Sequence, residues 1–190
     1  MSEADRRPAP GRVKSYEQCV KEELLLPLSM SYTSFFMPEL MAGRFAAGHG
    51  AVYDGTSRPK VSSSALPRAA YPVGGLISNV SDLMKWIQFQ FDGKDRDGQQ
   101  LLSPELLARA HSPLVEGELD EHIGIAWSVE DISDVRVVSH AGRIQGFTAK
   151  VLFAPEKRFG IVVLTNGDRG IEVYDAIIAQ ALRSYLGIEK

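Results

Sequence analysis

Apolar residues recur at intervals of three and four positions in three segments of the first 110 residues, a spacing typical of amphipathic helices. The first segment, Ser15 to Leu24, opens with Ser-x-x-Gln, the pattern of a capping box. The second runs from Ser81 to Phe91 and is closed by a glycine. The third, Leu101 to Ala110, has Ser103 at the N-cap and Pro104 at the first helical position, where the missing N–H costs nothing. The pattern therefore predicts three helices.

After Gly117 this spacing gives way to β-rich runs separated by turn residues, which predicts an antiparallel meander of about three to four strands. The turn Ala154 to Arg158 is short enough to close a hairpin. From Ile171 to Leu186 the helical spacing returns and predicts a C-terminal helix. The predicted strands are Ile123 to Val129, Val135 to Ser139, Gly146 to Phe153 and Phe159 to Thr165.

The order of these elements predicts an α+β fold. Helices precede a run of consecutive strands, which indicates an antiparallel sheet rather than a doubly wound parallel one, so a nucleotide-binding crossover is disfavoured. Residues 35–70 are rich in glycine, proline and serine, a composition of loops with brief strands. We expect one domain over residues 14–190, preceded by a disordered segment at residues 1–13.

Charge and hydropathy narrow the classes of partner. The formal net charge is −3 with both signs mixed along the chain, so nothing draws the chain toward nucleic acid or an anionic membrane. Residues 1–12 are polar and proline-rich without the apolar stretch of a signal peptide, and no later segment approaches the roughly 18 apolar residues of a membrane span. We expect neither nucleic acid nor membrane as a partner, and a cytoplasmic location for the chain as given.

Neither a disulfide nor a metal site is expected. Cys19 is the only cysteine, and the four histidines stand at unrelated spacings. Cys19 could serve as a nucleophile, but the apolar spacing around it is that of an amphipathic helix and favours a packed side chain. His49 is interpreted as a loop residue, and His111 and His122 as flanking a solvated connection between helix and sheet. No metal or organic cofactor is implied.

Four stretches of the chain carry a resemblance to a known family. Leu26 to Phe35 contains Leu-Pro-Leu-Ser-Met and Thr-Ser-Phe, and Pro72 to Leu83 reads Pro-Val-Gly-Gly-Leu-Ile-Ser-Asn-Val-Ser-Asp-Leu. Ile123 to Trp127 reads Ile-Gly-Ile-Ala-Trp, and Ser139 to Phe147 contains His-Ala-Gly. In this order they resemble the serine β-lactamase-like family, which includes class C β-lactamases, D-alanyl-D-alanine carboxypeptidases and related esterases. Ser29 stands where the family usually has glycine.

The resemblance spans roughly Lys14 to Thr165 and implies the C-terminal part of a β-lactamase/transpeptidase-like fold. The family carries a Lys/His-x-Gly motif on the strand that edges its active site. Carried over to this chain, the motif implies His140 as a polar side chain, Gly142 as a position without steric bulk, and the backbone N–H of Arg143 as an oxyanion-hole donor. A backbone donor on a strand is fixed before the reaction, as acyl transfer requires.

The family's Ser-x-x-Lys nucleophile and Tyr-x-Asn element, which should precede Lys14, have no convincing match in the 190 residues. Ser57-Arg58-Pro59-Lys60 has the letters of the first, but Pro59 opposes the helix that would bring serine and lysine together. Tyr32-Thr33-Ser34 fits the letters of the second, which allows Asn or Ser at its third position, but stands at the wrong place in the order. We therefore expect the chain alone to be inactive.

Two classes of function remain open. The first is a partial serine hydrolase whose complete form hydrolyses a small amide or ester through an acyl-enzyme; β-lactams, peptidoglycan stems, esters and D-amino-acid amides all remain possible substrates. The second is a non-catalytic binding or assembly module, or half of a split enzyme that another chain completes. The second class predicts a partner chain, or self-association through an exposed sheet.

Overall fold

The computed structural model describes residues 14–40, 45–50, 60–62, 66–117 and 122–188. The segment expected to be disordered, residues 1–13, and Ser57 to Pro59 of the Ser-x-x-Lys match lie outside the described residues.

The helices are α1 (Tyr16–Val20, continued by a wider helical turn at Lys21–Leu25), α2 (Met37–Leu40), α3 (Tyr71–Gly74, preceded by a 3₁₀ turn at Arg68–Ala70), α4 (Val80–Asp92), α5 (Pro104–Ala110) and α6 (Gly170–Leu186). The strands are β1 (Gly48–Gly50), β2 (Lys60–Ser62), β3 (Val115–Glu116), β4 (His122–Ile123), β5 (Ser128–Ile132), β6 (Val135–Ile144), β7 (Phe147–Ala154) and β8 (Phe159–Thr165).

The helix starts follow the local signals in the sequence. Ser15 and Gln18 form the capping box, each side chain accepting a hydrogen bond from the other residue's backbone N–H. Asn79 caps α4, and Ser103 caps α5 ahead of Pro104. Among the described residues, no helix combines the length and apolar character that crossing a bilayer requires.

The α+β prediction is confirmed, but the main sheet has six strands rather than three to four. Strands β3 to β8 are ordered consecutively and every neighbouring pair is antiparallel. The segment Ile123 to Val129, expected to be one strand, instead turns back on itself between β4 and β5, with Ala126 at φ 61°. Strands β3 and β4 have two residues each, too few to display an alternating pattern.

Apolar residues cover both faces of the sheet. Val137 and Val138 are adjacent on β6, and both are buried because successive side chains point to opposite faces. Val137 packs toward α6, whose Tyr174, Ile178 and Leu182 belong to the same cluster. Val138 packs with Ile87 of α4 and with Phe153 and Trp127. The sheet is therefore held between α6 on one face and α4 on the other.

A buried carboxylate joins α4 to the loop that follows α1. Asp82 is fully buried, and its Oδ2 accepts hydrogen bonds from the Tyr32 backbone N–H at 2.7 Å and the Thr33 hydroxyl at 2.9 Å. Its Oδ1 accepts from Lys85 Nζ at 2.8 Å. A buried carboxylate is stable when several donors compensate its lost hydration. The first two stretches of the family resemblance therefore meet at this group.

His111, interpreted from the sequence as flanking a solvated connection, is itself buried at the end of α5. Its Nε2 lies 3.0 Å from Gln90 Oε1, and its ring meets the rings of Trp127 and Phe153 edge-on. Burial lowers its pKa from 6.5 to about 4. The imidazole is therefore neutral in the folded chain near pH 7.

Ser29 has a backbone conformation that glycine adopts without strain. Its φ is 57°, in the left-handed region where a Cβ costs about 1 kcal/mol, and its carbonyl accepts a hydrogen bond from Lys85 Nζ at 2.5 Å.

We expect Ser29→Gly to raise the free energy of unfolding by about 0.5–1 kcal/mol, measured by urea denaturation. The loss of an exposed contact from Arg96 to the Ser29 hydroxyl offsets little of this gain. As a matched control, Ser31→Gly in the adjacent exposed turn should lower stability, because Ser31 has no positive φ to relieve. A loss of stability in both variants would contradict the prediction.

The neutral state of His111 predicts a pH dependence of stability. Because its pKa is lower in the folded chain, the unfolded chain binds the extra proton first as the pH falls, and stability declines between about pH 6.5 and 4. From pH 7 to pH 5 this residue should lower the free energy of unfolding by about 2 kcal/mol. Denaturation curves at both pH values should show this decline, and His111→Gln should reduce it. An unchanged pH dependence in the variant would contradict the assignment.

Candidate active site

Strand β6 extends beyond its neighbour β5, so in the part of the chain that the structure describes a stretch of its backbone has no strand partner on one side. Strand β5 pairs with β6 only as far as Ser128 opposite Ser139. Residues 140–144 of β6 continue to pair with β7 on the other side. His140, Gly142 and Arg143, the three residues implied by the resemblance, all lie exposed in this half of the strand. The structure therefore brings them together along one open edge.

The turn at the start of β6 determines which backbone groups point to that edge. Ser133 and Asp134 connect β5 to β6 with φ of 49° and 62°, the signature of a type I′ two-residue hairpin turn. The residues flanking such a turn form a hydrogen-bonded pair, and this pairing recurs at every second position. Val135 therefore directs its N–H and C=O toward the β5 side of β6. Every second residue after it, up to Arg143, does the same. The Arg143 N–H consequently points away from β7, into the open space beyond the end of β5.

The two other motif residues face the α4 side of the sheet, in step with Val138. The ring of His140 stands at 88° to that of Trp127, with 6.3 Å between the ring centroids. Trp127 in turn packs edge-on against His111 and Phe153, so a buried aromatic group backs His140. At Gly142 an added Cβ would meet no atom of the described residues within 4 Å. The protein itself therefore leaves room at Gly142 for a ligand.

A cleft of about 360 Å³ lies beside the open edge. Part of its wall is apolar and part carries hydroxyl and ammonium groups. Ser139 and Lys150 contribute to the polar part, although the sequence analysis assigned a functional role to neither of them. Knowledge of the strand pairing would have pointed to Lys150, because the pairing sets Lys150 opposite Ala141 of the His-Ala-Gly motif. The cleft is lined by Ile123, Ala126, Trp127, Ser128, Ser139, His140, Ala141 and Lys150.

The far end of β6 is held in place by the turn into β7. The Gly146 N–H donates to Asp168 Oδ1 at 2.6 Å, and the Gly146 carbonyl accepts from the His49 N–H at 3.2 Å. His49 lies in strand β1 rather than in the loop that was expected, and its Nδ1 is 3.2 Å from the Asn166 carbonyl. These contacts fix the end of the open edge that lies at the β6–β7 turn.

The remaining candidates are not gathered at this edge. Tyr32 lies on the loop after α1, where its backbone N–H is engaged by Asp82, and Lys60 lies in β2. Cys19 is a partly buried free thiol on α1. Within the described part of the chain, no group of three or more His, Cys, Asp or Glu side chains is arranged to hold a metal ion. The geometry thus supplies the unpaired side of β6, which carries backbone hydrogen-bond donors and has a cleft beside it.

Known proteins match both the sequence and the fold. Protein flp of Staphylococcus aureus strain MW2 is 27% identical over 156 residues, which cover 80% of this chain and 29% of that protein. The human putative beta-lactamase-like 1 is 28% identical over 158 residues, 81% of this chain and 30% of that protein. The chain therefore spans less than a third of the length of these two relatives.

Solved structures also resemble this chain in fold. The octameric penicillin-binding protein homologue from Pyrococcus abyssi superposes with a TM-score of 0.74 at 25% identity, over 92% of this chain and 38% of that one. A class C beta-lactamase superposes with a TM-score of 0.66 at 17% identity, over 86% of this chain and 49% of that one, a likeness of fold alone. The sequence model of the beta-lactamase family matches residues 6–183. This chain therefore belongs to the beta-lactamase family.

Proposed function

We propose that this chain supplies the strand-edge side of a serine hydrolase site that hydrolyses a small amide or ester through an acyl-enzyme. The observation that carries the proposal is the outward Arg143 N–H on the open half of β6, beside His140 and the unobstructed Gly142. An acyl-transfer site needs a rigid donor aimed at a developing oxyanion. A backbone N–H held by strand pairing meets that need.

Each motif residue has a distinct role in the proposed reaction. Arg143 donates its backbone N–H to the carbonyl oxygen as a serine oxygen adds to the carbonyl carbon. The bond to the amine or alcohol then breaks, and the leaving group takes the proton that the serine hydroxyl gave up. Water later adds to the acyl-enzyme, releases the acid and returns a proton to the serine oxygen. Gly142 lets the substrate lie close to the strand, and His140 offers an imidazole at the cleft wall.

The serine of this reaction is proposed to come from a segment other than these 190 residues. Their only Ser-x-x-Lys, at Ser57 to Lys60, contains Pro59 and ends in a strand, whereas the nucleophile needs a helix that sets lysine one turn from serine. On this proposal the chain alone holds an oxyanion donor but forms no acyl-enzyme. A β-lactamase-family segment with an intact Ser-x-x-Lys would complete it.

A second candidate function, a non-catalytic binding or assembly module, is favoured by one surface. Strand β8 is at one end of the sheet order in the described part of the chain, so its outer edge has no strand partner there. Leu164 is exposed on β8 itself, and Val173 and Ile177 are exposed on α6, the helix that packs on one face of the sheet. Apolar residues next to an open strand edge suit a covering chain, whether a split-enzyme partner or a second copy.

A matched pair of substitutions at Arg143 tests the catalytic proposal. The chain is joined to the Ser-x-x-Lys-bearing N-terminal part of a class C β-lactamase, and hydrolysis of nitrocefin and of p-nitrophenyl acetate is measured. Arg143→Pro removes the N–H and should lower kcat about 100- to 1000-fold, the usual cost of one oxyanion donor. Arg143→Ala keeps the N–H and should stay within about tenfold of the parent.

The same pair distinguishes catalysis from damage to the fold. Proline is tolerated on a strand edge whose N–H faces outward, so both variants should retain the parent's urea midpoint. Gly142→Pro should unfold more readily, because the Gly142 N–H points to β7 and is part of the ladder. Equal kcat values for the proline and alanine variants would contradict the oxyanion role, and a chimera without any hydrolysis would favour the binding or assembly module.

A further inference from the structure

His111 connects three parts of the fold behind the strand that carries the motif. Its Nε2 lies 3.0 Å from Gln90 Oε1 of α4. Its ring stands nearly perpendicular to the rings of Trp127 and Phe153, with 6.2 Å and 5.1 Å between the centroids. Only 5% of the residue is exposed. A buried imidazole at the end of α5 therefore joins α4, the turn between β4 and β5, and strand β7.

The backbone next to His111 supports that turn. The Ile125 N–H donates to the carbonyl of Ala110, the residue before His111, at 3.0 Å. Gly124 packs so closely on the same carbonyl that a Cβ there would collide with it. Trp127 is the last residue of the turn. A displacement at His111 therefore reaches Trp127 by two routes, through the ring contact and through the backbone of the turn.

Trp127 is also the aromatic neighbour of His140. His140 is exposed on β6, and its ring meets that of Trp127 at 88° with 6.3 Å between the centroids. A side chain at a site keeps one orientation only where its neighbours are themselves held by packing. His111 and Phe153 hold Trp127 in this way. The orientation of His140 thus depends on His111 through a single intervening ring.

The surroundings of His111 suit a neutral imidazole and oppose a charged one. The groups that pack on it from α4, the turn and β7 are Gln90, Trp127 and Phe153, and none of them titrates. His140 is the titratable group on the other contact of Trp127. Burial alone lowers the pKa of His111 to about 4. A proton on this ring therefore favours an arrangement in which the imidazolium has moved out to water.

We infer that His111 is a positioning residue of the strand-edge site: acting through Trp127 it holds the ring of His140 in place, and it releases that ring when it takes up a proton. The inference rests on the proposed function, which gives His140 its place at the cleft wall. Because a ring in water binds a proton more tightly than the buried ring, release is favoured as the pH falls below about 6.5, by up to about 300-fold at and below pH 4. The site is therefore ordered near neutral pH and loosened in acid.

The fluorescence of Trp127 reports the release. Trp86→Phe removes the other tryptophan of the chain, and His140→Asn removes an imidazolium that would quench Trp127 as it charges. In this double variant we expect the emission of Trp127 to move to longer wavelength with one midpoint between about pH 6.5 and 4. The far-UV circular dichroism should stay unchanged through that midpoint, because the release is local.

NMR of the chain that keeps His140 reads the positioning itself. Nuclear Overhauser effects between the ring protons of His140 and Trp127 should be present at pH 7.5, since the two rings are in contact. They should weaken on acidification with the midpoint that the fluorescence gives. A role of His111 in stability alone would leave these ring contacts intact for as long as the chain stays folded.

Three substitutions assign the transition. His111→Gln keeps a polar partner for Gln90 and His111→Phe keeps a ring against Trp127, but neither takes up a proton, so the transition should disappear in both. His122→Gln makes the same change at an exposed histidine of β4 and should leave the midpoint where it was.

Three results would overturn the assignment of His111. They are a Trp127 signal that does not change with pH, a transition that persists in both His111 variants, and a loss of far-UV circular dichroism at the same midpoint, which would limit His111 to global unfolding. None of these measurements involves hydrolysis. An inactive chimera would therefore leave the assignment standing, and an absent transition would leave the comparison of Arg143→Pro with Arg143→Ala unaffected.

Discussion

The unequal lengths of β5 and β6 create the strand edge on which the proposed chemistry depends. Strand β5 ends because the chain turns at residues 124–127, where Gly124 packs under the Ala110 carbonyl and the Ile125 N–H donates to that same carbonyl at 3.0 Å. The end of α5 thus stops one strand while β6 continues along β7. The result is an edge of backbone whose outward donors and acceptors have no strand partner among the described residues, and which is held by its pairing with β7.

Two buried polar groups hold the surroundings of this edge in place. Asp82 ties the loop after α1 to α4, and α4 packs through Ile87 on the sheet face that carries His140. His111 links α5 to α4 through Gln90 and presses against Trp127, whose ring backs His140. The helical part of the chain therefore contributes to the site indirectly, by fixing the aromatic group beside the motif histidine.

Much of the fold and of the candidate site could be predicted from local sequence. The features that could not be predicted depend on contacts between residues distant in the chain. The capping box at Ser15, the start of α5 at Pro104 and the clustering of His140 to Arg143 follow from patterns within a few residues. The hairpin that divides Ile123 to Val129 was missed because apolar spacing in so short a run does not reveal a turn. The burial of His111 depends on Gln90 and Phe153, which are distant in the chain, so the local sequence pattern could not predict it. The pairing of Lys150 with Ala141 depends on strand register, which the local pattern does not determine either.

The central claim is that these residues carry the oxyanion edge of a β-lactamase-family site and leave the nucleophile to another segment. Intact-mass spectrometry of the folded chain, after incubation with a fluorophosphonate and separately with a penicillin, tests it most directly. We predict an unmodified mass with both reagents. A single stoichiometric adduct on one serine would contradict it, because the chain would then hold a nucleophile of its own.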